Sequence, residues 1–220
     1  MSVDYNDFAK TFSNSRKKMK WEEIDYFLSF LEWKKDISIL DIWCWNGRFL
    51  SHLKDKHIKY TNYLWIDLSD WLLKEASELH PEEWFLHLNM LNIDSVNEKF
   101  DYIFFIASFH HLDNINYRKN VLKKASKLLN KDWKIFMTNW SLNSELNKER
   151  YNNSIIKNSK NIFWSLDYNI KLWKFYRYYH CFDLTELDFL FKENWFNIIE
   201  NRLYDTWKNF ISIIQKKWDF

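Results

Sequence analysis

Glycine is almost missing from this sequence. Its 220 residues contain one, Gly47, where average usage of about 7% gives roughly 15. Glycine can thus supply the left-handed backbone of turns and ligand-cradling loops at one position only. Proline is as scarce, with Pro81 alone. The two cysteines, Cys44 and Cys181, make neither a disulfide framework nor a cysteine-based metal site, as expected in a reducing compartment. Long apolar runs are missing too. The longest, Tyr102 to Phe109, is far too short to span a bilayer. The opening Met1-Ser2-Val3-Asp4-Tyr5 lacks the apolar core of a signal peptide. The expectation is a cytoplasmic protein with no membrane partner and no metal.

Tryptophan is the opposite case, with 14 residues. Abundant Asn, Lys, Ile and Phe with little Ala or Pro point to an AT-rich genome. That bias thins glycine but gives no reason to multiply tryptophan. A hydrophobic share of 47% beside 28% charged residues is the balance of a globular chain, long enough for one domain with a substantial core. The net charge of +2 permits RNA binding without arguing for it.

The chain alternates between the two periodicities. Trp21 to Glu32 has helical spacing, with Ile24, Phe27, Leu28 and Leu31 on one face. Ile37 to Ile42 reads as a buried strand, and Gly47 to Lys56 as a helix. Tyr60 to Ile66 is the next strand, after which Ser69 caps a helix running to Leu79. Residues 84–88 make a weaker strand. Tyr102 to Ile106 is a strong one, followed by a helix from about Asn116 to Leu129 and a strand at Ile135 to Asn139. Residues 141–176 break the rhythm and read as an insertion. A helix from Leu184 to Glu193 and strands at Phe196–Leu203 and Phe210–Gln215 complete the pattern. The prediction is a single α/β domain over residues 1–220, with a mostly parallel seven-stranded sheet covered by helices on both faces. A helical extension at 1–33 and a substrate-capping insertion at 141–182 are added to it.

The chemistry concentrates where the first strand ends, in Ile39-Leu40-Asp41-Ile42-Trp43-Cys44-Trp45-Asn46-Gly47-Arg48-Phe49-Leu50. In nucleotide-binding α/β folds the loop between such a strand and its helix is glycine-rich, so that backbone approaches the ligand closely. With glycine at 43 and 45 the segment becomes L-D-I-G-C-G-N-G-R-F-L. It then resembles the first motif of the class I S-adenosylmethionine-dependent methyltransferases, whose fold is Rossmann-like. The resemblance implies that Asp41, Trp43, Cys44, Trp45, Asn46 and Gly47 cradle the methionine moiety of S-adenosyl-L-methionine. Asp67, about 20 residues beyond the loop, is placed to accept both ribose hydroxyls, with Leu68 beside it. Asn89 and Met90 follow the third strand, where the family contacts adenine, and Ala107 would pass close to the cofactor. The reading requires the first strand to lie inside the sheet and the Asp67 carboxylate to face the loop.

Other tryptophans also stand where glycine belongs. Trp133, in Asn130-Lys131-Asp132-Trp133-Lys134, and Trp195, just past a helix, occupy places where a left-handed residue ends a helix. The resemblance asks for glycine at Trp43, Trp45 and Trp65, and Trp33, Trp71, Trp207 and Trp218 are further candidates. A lineage reading UGA as glycine, its gene translated with a code that reads UGA as tryptophan, accounts for both abnormal counts. Trp21 and Trp140 sit where a genuine tryptophan is unsurprising.

Three stretches narrow the class. Phe8 to Arg16 with Trp21, then Ser108-Phe109-His110-His111-Leu112, and above all Arg177-Tyr178-Tyr179-His180-Cys181-Phe182 with Glu186-Leu187, resemble the tRNA wobble-uridine carboxymethyl methyltransferase family. That resemblance implies esterification of a carboxymethyl group on uridine, with tRNA and a small activating subunit as partners. A carboxylate is already nucleophilic, so the site needs alignment and a cation to hold the acceptor. A forked Arg does this best. Arg16 and Arg177 are the candidates, with Tyr179 and His180 as substrate-binding donors and His110, His111 and Arg177 as the catalytic set. The basic run Arg16 to Lys20 is a candidate RNA contact. Two rival functions are a small-molecule O-, N- or C-methyltransferase enclosing its acceptor under 141–182, and a cofactor-free binding module if the tryptophans are genuine.

Overall fold

The computed structural model describes residues 21–43, 45–156 and 162–217. The stretch 8–16, Arg16, the basic run to Lys20, Cys44 and Trp218 lie outside the described residues.

The β-branched run Ile37–Ile42 forms strand β1, its side chains buried on both faces as a central parallel strand requires. Strands β2 (Tyr60–Asp67), β3 (Trp84–His87), β4 (Phe100–Ile106) and β5 (Leu129–Trp140) follow. After the antiparallel hairpin β6 (Leu166–Leu172) and β7 (Phe175–Cys181) come β8 (Phe196–Leu203) and β9 (Asn209–Lys216). The main sheet has seven strands in the order β3-β2-β1-β4-β5-β9-β8. Its first five are parallel, whereas β9 runs antiparallel to β5 and to β8. Strand β1 therefore lies inside the sheet, and the chain order reverses between β1 and β4. In open α/β sheets that switch point opens a ligand crevice beyond the strand ends.

Helices cover both faces. On one side pack α1 (Glu22–Ser29), α2 (Arg48–Asp55) and α3 (Asp70–Leu79), through Ile24, Phe27, Leu50, Leu53, Leu73 and Ala76. On the other lie α4 (Ile115–Leu128) and α6 (Leu184–Glu193), with the short helix α5 (Lys148–Tyr151) before the hairpin. Local sequence fixes the helix starts. Ser69 accepts from the Leu72 N–H at 3.2 Å, Asn114 from Tyr117 at 2.9 Å and Asp183 from Thr185 at 2.8 Å. Between β4 and β5 the facing rings of Phe104 and Phe136 stack 5.1 Å apart, each fully buried. Burial of one such side chain stabilises the fold by about 2–3 kcal/mol.

The structure departs from the sequence reading at three places. Residues 141–176 are not wholly irregular, since the hairpin β6–β7 begins inside them. Trp133 does not take left-handed backbone. Asp132 does, at φ 66°, and Trp133 is already in strand β5 with its ring edge-on to Tyr102 at 4.9 Å. Trp71 lies in the first turn of α3, where the right-handed helical backbone does not call for glycine.

Candidate functional site

The crevice at the switch point is built from the ends of β1, β2 and β4. Asp41 is 1% exposed and accepts a hydrogen bond from the Tyr63 hydroxyl at 3.1 Å. Burial pushes its carboxyl from an ordinary 3.8 up to about 7, against the lowering effect of Tyr63. Asp67, also 1% exposed, faces the loop as the sequence reading requires. It accepts the Trp45 N–H at 3.1 Å on one oxygen and the Ser69 N–H at 2.9 Å on the other. Burial raises it to about 6, while those N–H groups and the charge of Arg177 pull the other way.

The loop backbone is left-handed at Trp43 (φ 69°), Trp45 (φ 57°) and Gly47 (φ 82°), which enters α2. The Trp43 N–H donates to the Ile66 carbonyl at 2.8 Å, tying the loop to the end of β2. Its indole lies 7% exposed, edge-on to the His111 ring at 4.9 Å and beneath the Arg177 guanidinium at 5.2 Å. The Trp45 indole meets Trp21 edge-on at 5.4 Å. Asn46 is buried at the loop's turn into α2. What remains between Asp41, Trp43, Trp45, Arg48 and Ile106 is a cavity of about 30 Å³, room for one or two water molecules.

The other positions singled out in the sequence are spread around this crevice. Leu68 packs against the core just beyond Asp67, and Met90 is buried in it. The Asn89 side chain is spent as a cap, accepting from the Leu91 N–H at 2.9 Å, so it is not held open toward the crevice. Ala107 ends β4 at φ 50°, its N–H donating to the Thr138 hydroxyl at 2.9 Å.

Strand β7 brings Arg177 and Tyr179 over the loop. Tyr179 is 1% exposed, stacked on Trp140 at 4.9 Å and tilted against His111 at 4.5 Å. Burial, then the charge of Arg177, holds both His110 and His111 well below the usual imidazole range, so both are neutral. Their partners fix the tautomers. His110 Nδ1 accepts the Trp140 N–H at 3.2 Å, which leaves the proton on Nε2, an atom without a partner among the described residues. His111 Nδ1 lies 2.9 Å from the Tyr178 carbonyl, which only accepts, so Nδ1 carries that proton and Nε2 keeps its lone pair.

His180 sits elsewhere. Both of its ring nitrogens are engaged, Nδ1 with Asp167 at 2.6 Å and Nε2 with Glu186 at 2.8 Å, so it has no donor left for an acceptor molecule. It belongs to a buried network that the sequence reading missed. Arg118, 4% exposed, donates to Glu186 at 3.0 Å and to the Leu112 carbonyl at 2.9 and 3.1 Å, and it reaches the Tyr178 hydroxyl at 3.2 Å. Burial would raise Glu186, but hydrogen bonds from His180 and Ser165 and the charge of Arg118 hold it below its ordinary value. The network fastens β7 to α4 and α6, and so sets Arg177 above the loop. One signal pointed to it: Arg118 shares a helix face with the buried Val121, Leu122 and Ala125. No group of His, Cys, Asp and Glu suited to a metal ion occurs among the described residues, and no helix among them is long and apolar enough to cross a membrane.

Comparison with known proteins agrees with this geometry. Residues 40–132, which carry the loop, match a protein family described as a methyltransferase domain. The tRNA (carboxymethyluridine(34)-5-O)-methyltransferase of Saccharomyces cerevisiae is 28% identical over 148 residues, covering 67% of this chain and 50% of the yeast protein. The chain spans about half the length of the curated relatives it matches. A crystal structure of an S-adenosylmethionine-dependent methyltransferase from Clostridium acetobutylicum superposes with a TM-score of 0.70 at 15% identity, covering 97% of this chain and 99% of that one. The magnesium protoporphyrin IX methyltransferase of Synechocystis, solved with bound SAH, gives 0.69 at 11% identity, covering 97% and 96%. This chain has the fold of solved S-adenosylmethionine-dependent methyltransferases, and its residues 40–132 are similar to a methyltransferase-domain family.

Proposed function

We propose that the protein is an S-adenosyl-L-methionine-dependent methyltransferase whose acceptor is a carboxymethyl-type modified uridine of tRNA. The observation that carries this reading is the loop from Asp41 to Gly47. It lies at the switch point of a parallel sheet, has left-handed backbone at 43, 45 and 47, and is held by the carboxylate that ends β2. A glycine-rich loop uses that backbone to approach a nucleotide-like ligand, with the second-strand carboxylate taking the ribose hydroxyls. The relative in yeast supports the acceptor class.

As written, the residues do not fit the cofactor. A site for a ligand of that size holds about 300–1,000 Å³, and the indoles of Trp43 and Trp45 leave about 30 Å³. The same Trp43 indole covers Arg177 and His111, two of the side chains best placed to meet an acceptor. With the indole absent, Arg177 faces the loop as a fork able to hold a carboxylate in one orientation. Beside the loop, and sharing Trp21 with it, lies a second cavity of about 390 Å³ walled by Trp140, Leu142, Arg150, Tyr151 and Lys208. Its size and its aromatic walls suit one splayed base, and its charges are balanced, Arg150 and Lys208 against Glu22 and Glu23. The segment 141–182 supplies Leu142, Leu146, Asn147, Arg150 and Tyr151 to these walls, which fits the role of an acceptor cap.

The test is mass spectrometry of wobble nucleosides from cells with and without the gene. Loss of a carboxymethyl ester with accumulation of the free acid is expected. An unchanged nucleoside profile removes the tRNA acceptor.

A further inference from the structure

Ten residues other than glycine have positive φ among the described residues, and six of them are tryptophan: Trp33, Trp43, Trp45, Trp173, Trp195 and Trp207. Tryptophan is 14 of the 220 residues, so chance would place it there less than once. A bulky side chain at positive φ is a conformational outlier, because its Cβ crowds the following carbonyl. The six lie in turns or in the loop after β1, where glycine supplies such backbone.

Trp195 follows α6, its N–H donating to the Lys192 carbonyl at 3.2 Å, as the left-handed residue of a helix end does. Trp173 is the first of two residues joining β6 to β7, where tight hairpins place glycine. Trp207 closes the turn between β8 and β9, its N–H on the Tyr204 carbonyl at 2.8 Å. Trp33 is the last residue of the turn after α1. None of these four indoles is buried: they are 47% to 95% exposed. Trp43 and Trp45 are the reverse case. Their indoles fill the crevice that the loop conformation is shaped to open. Trp65, by contrast, has extended backbone inside β2, and nothing in its φ asks for glycine.

We infer that the working protein carries glycine at positions 33, 43, 45, 173, 195 and 207, the tryptophans being the outcome of reading a reassigned UGA codon by another code. The inference for 43 and 45 rests in part on the methyltransferase reading. For the four turns it rests on backbone geometry alone.

Four measurements decide it. Peptide masses of the protein isolated from its own cells are expected to show glycine at all six positions, and UGA is expected at the six codons. Tryptophan in the peptides, or UGG at these codons, overturns the inference. In recombinant protein, W33G/W173G/W195G/W207G is expected to lower the unfolding constant about tenfold per site. An unchanged or raised constant overturns it. W43G/W45G is expected to bind S-adenosylhomocysteine by calorimetry where the chain as written binds none, and equal binding by the two overturns the inference at the loop. If neither binds while the turn variant is stabilised, the cofactor reading fails and the glycine assignment of the turns stands.

Discussion

The backbone N–H of Trp45 donates to the carboxylate of Asp67 at 3.1 Å, joining the loop after β1 to the end of β2. One oxygen of Asp67 thus braces the loop, and the other accepts the Ser69 N–H at the start of α3. Two consequences meet in this residue: it organises the loop, and it is buried under side chains that the loop has no room for.

Asp67 is therefore expected to matter more for ligand than for fold. In the W43G/W45G background, D67N keeps the size but loses the charge and one of the two acceptor oxygens that take the Trp45 and Ser69 N–H groups. A hydrogen bond to a charged group is worth about 1.5–3 kcal/mol. Affinity for S-adenosylhomocysteine should fall roughly 10- to 100-fold by calorimetry, with the circular dichroism spectrum unchanged. Undiminished affinity would place the ribose elsewhere.

Stability as a function of pH separates the two kinds of buried carboxyl. Asp41 and Asp67 have folded values of about 7 and about 6 against an ordinary 3.8. The fold holds their protons more tightly than the unfolded chain does. Their contribution is thus complete below about pH 4 and is lost as pH rises through 6 and 7. For Asp41 the ionised form costs on the order of 4 kcal/mol. Asp167 and Glu186 behave oppositely, being held below their ordinary values, so the stability they confer is lost as pH falls below about 4. The urea midpoint of the chain as written should fall between pH 4 and 7.5. W43G/W45G, which readmits water to Asp41 and Asp67, should flatten that fall.

Arg118 and Glu186 form a 3.0 Å ion pair with both side chains at most 5% exposed. Removing one partner leaves a buried charge unmatched, at a cost of about 3–5 kcal/mol. E186Q and R118M should each lower the urea midpoint accordingly. The double variant should be less destabilised than the two changes added together, because the second removes a charge already orphaned. Additive losses would mean the pair carries no mutual interaction.

The sheet was legible because its strands are runs of β-branched and aromatic residues bounded by polar caps, and the helices because Ser69 and Asp183 announce their starts. Asp41 and Asp67 were legible because each ends a buried strand, where a charge has no structural excuse. The hairpin β6–β7 was not. Tyr168 and Ile170 alternate toward the core between exposed Asn169 and Lys171, a strand pattern in itself. What hid it was the turn. Trp173-Lys174 carries no turn signal, whereas glycine at 173 would have marked a hairpin at once. Trp133 misled for a related reason: the left-handed residue between α4 and β5 is the preceding Asp132, and Asp is among the few residues that tolerate it. His180 resembled a pocket donor in sequence, and only the fold shows both its nitrogens turned to carboxylates.

Arg177 is the residue on which the acceptor assignment turns. It is 6% exposed, lies over the loop, and is held there by a strand fastened through Tyr178 and His180 to α4 and α6. Its guanidinium also acts on Asp67, so a change at 177 must be read on cofactor and acceptor separately. In the W43G/W45G background, R177K retains charge but not the planar fork, and R177A loses both. If the fork orients an acceptor carboxylate, turnover on tRNA bearing carboxymethyluridine should drop about 10- to 100-fold in R177A. R177K should recover only part of it, and affinity for S-adenosylhomocysteine should change less than threefold in either. Because a carboxamide cannot be esterified, the control is read as binding: R177A should weaken binding of RNA bearing the acid but not of RNA bearing the amide, since a neutral group offers the fork no charge to hold. Equal losses on acid and amide would make Arg177 a support for the loop rather than a holder of the acceptor.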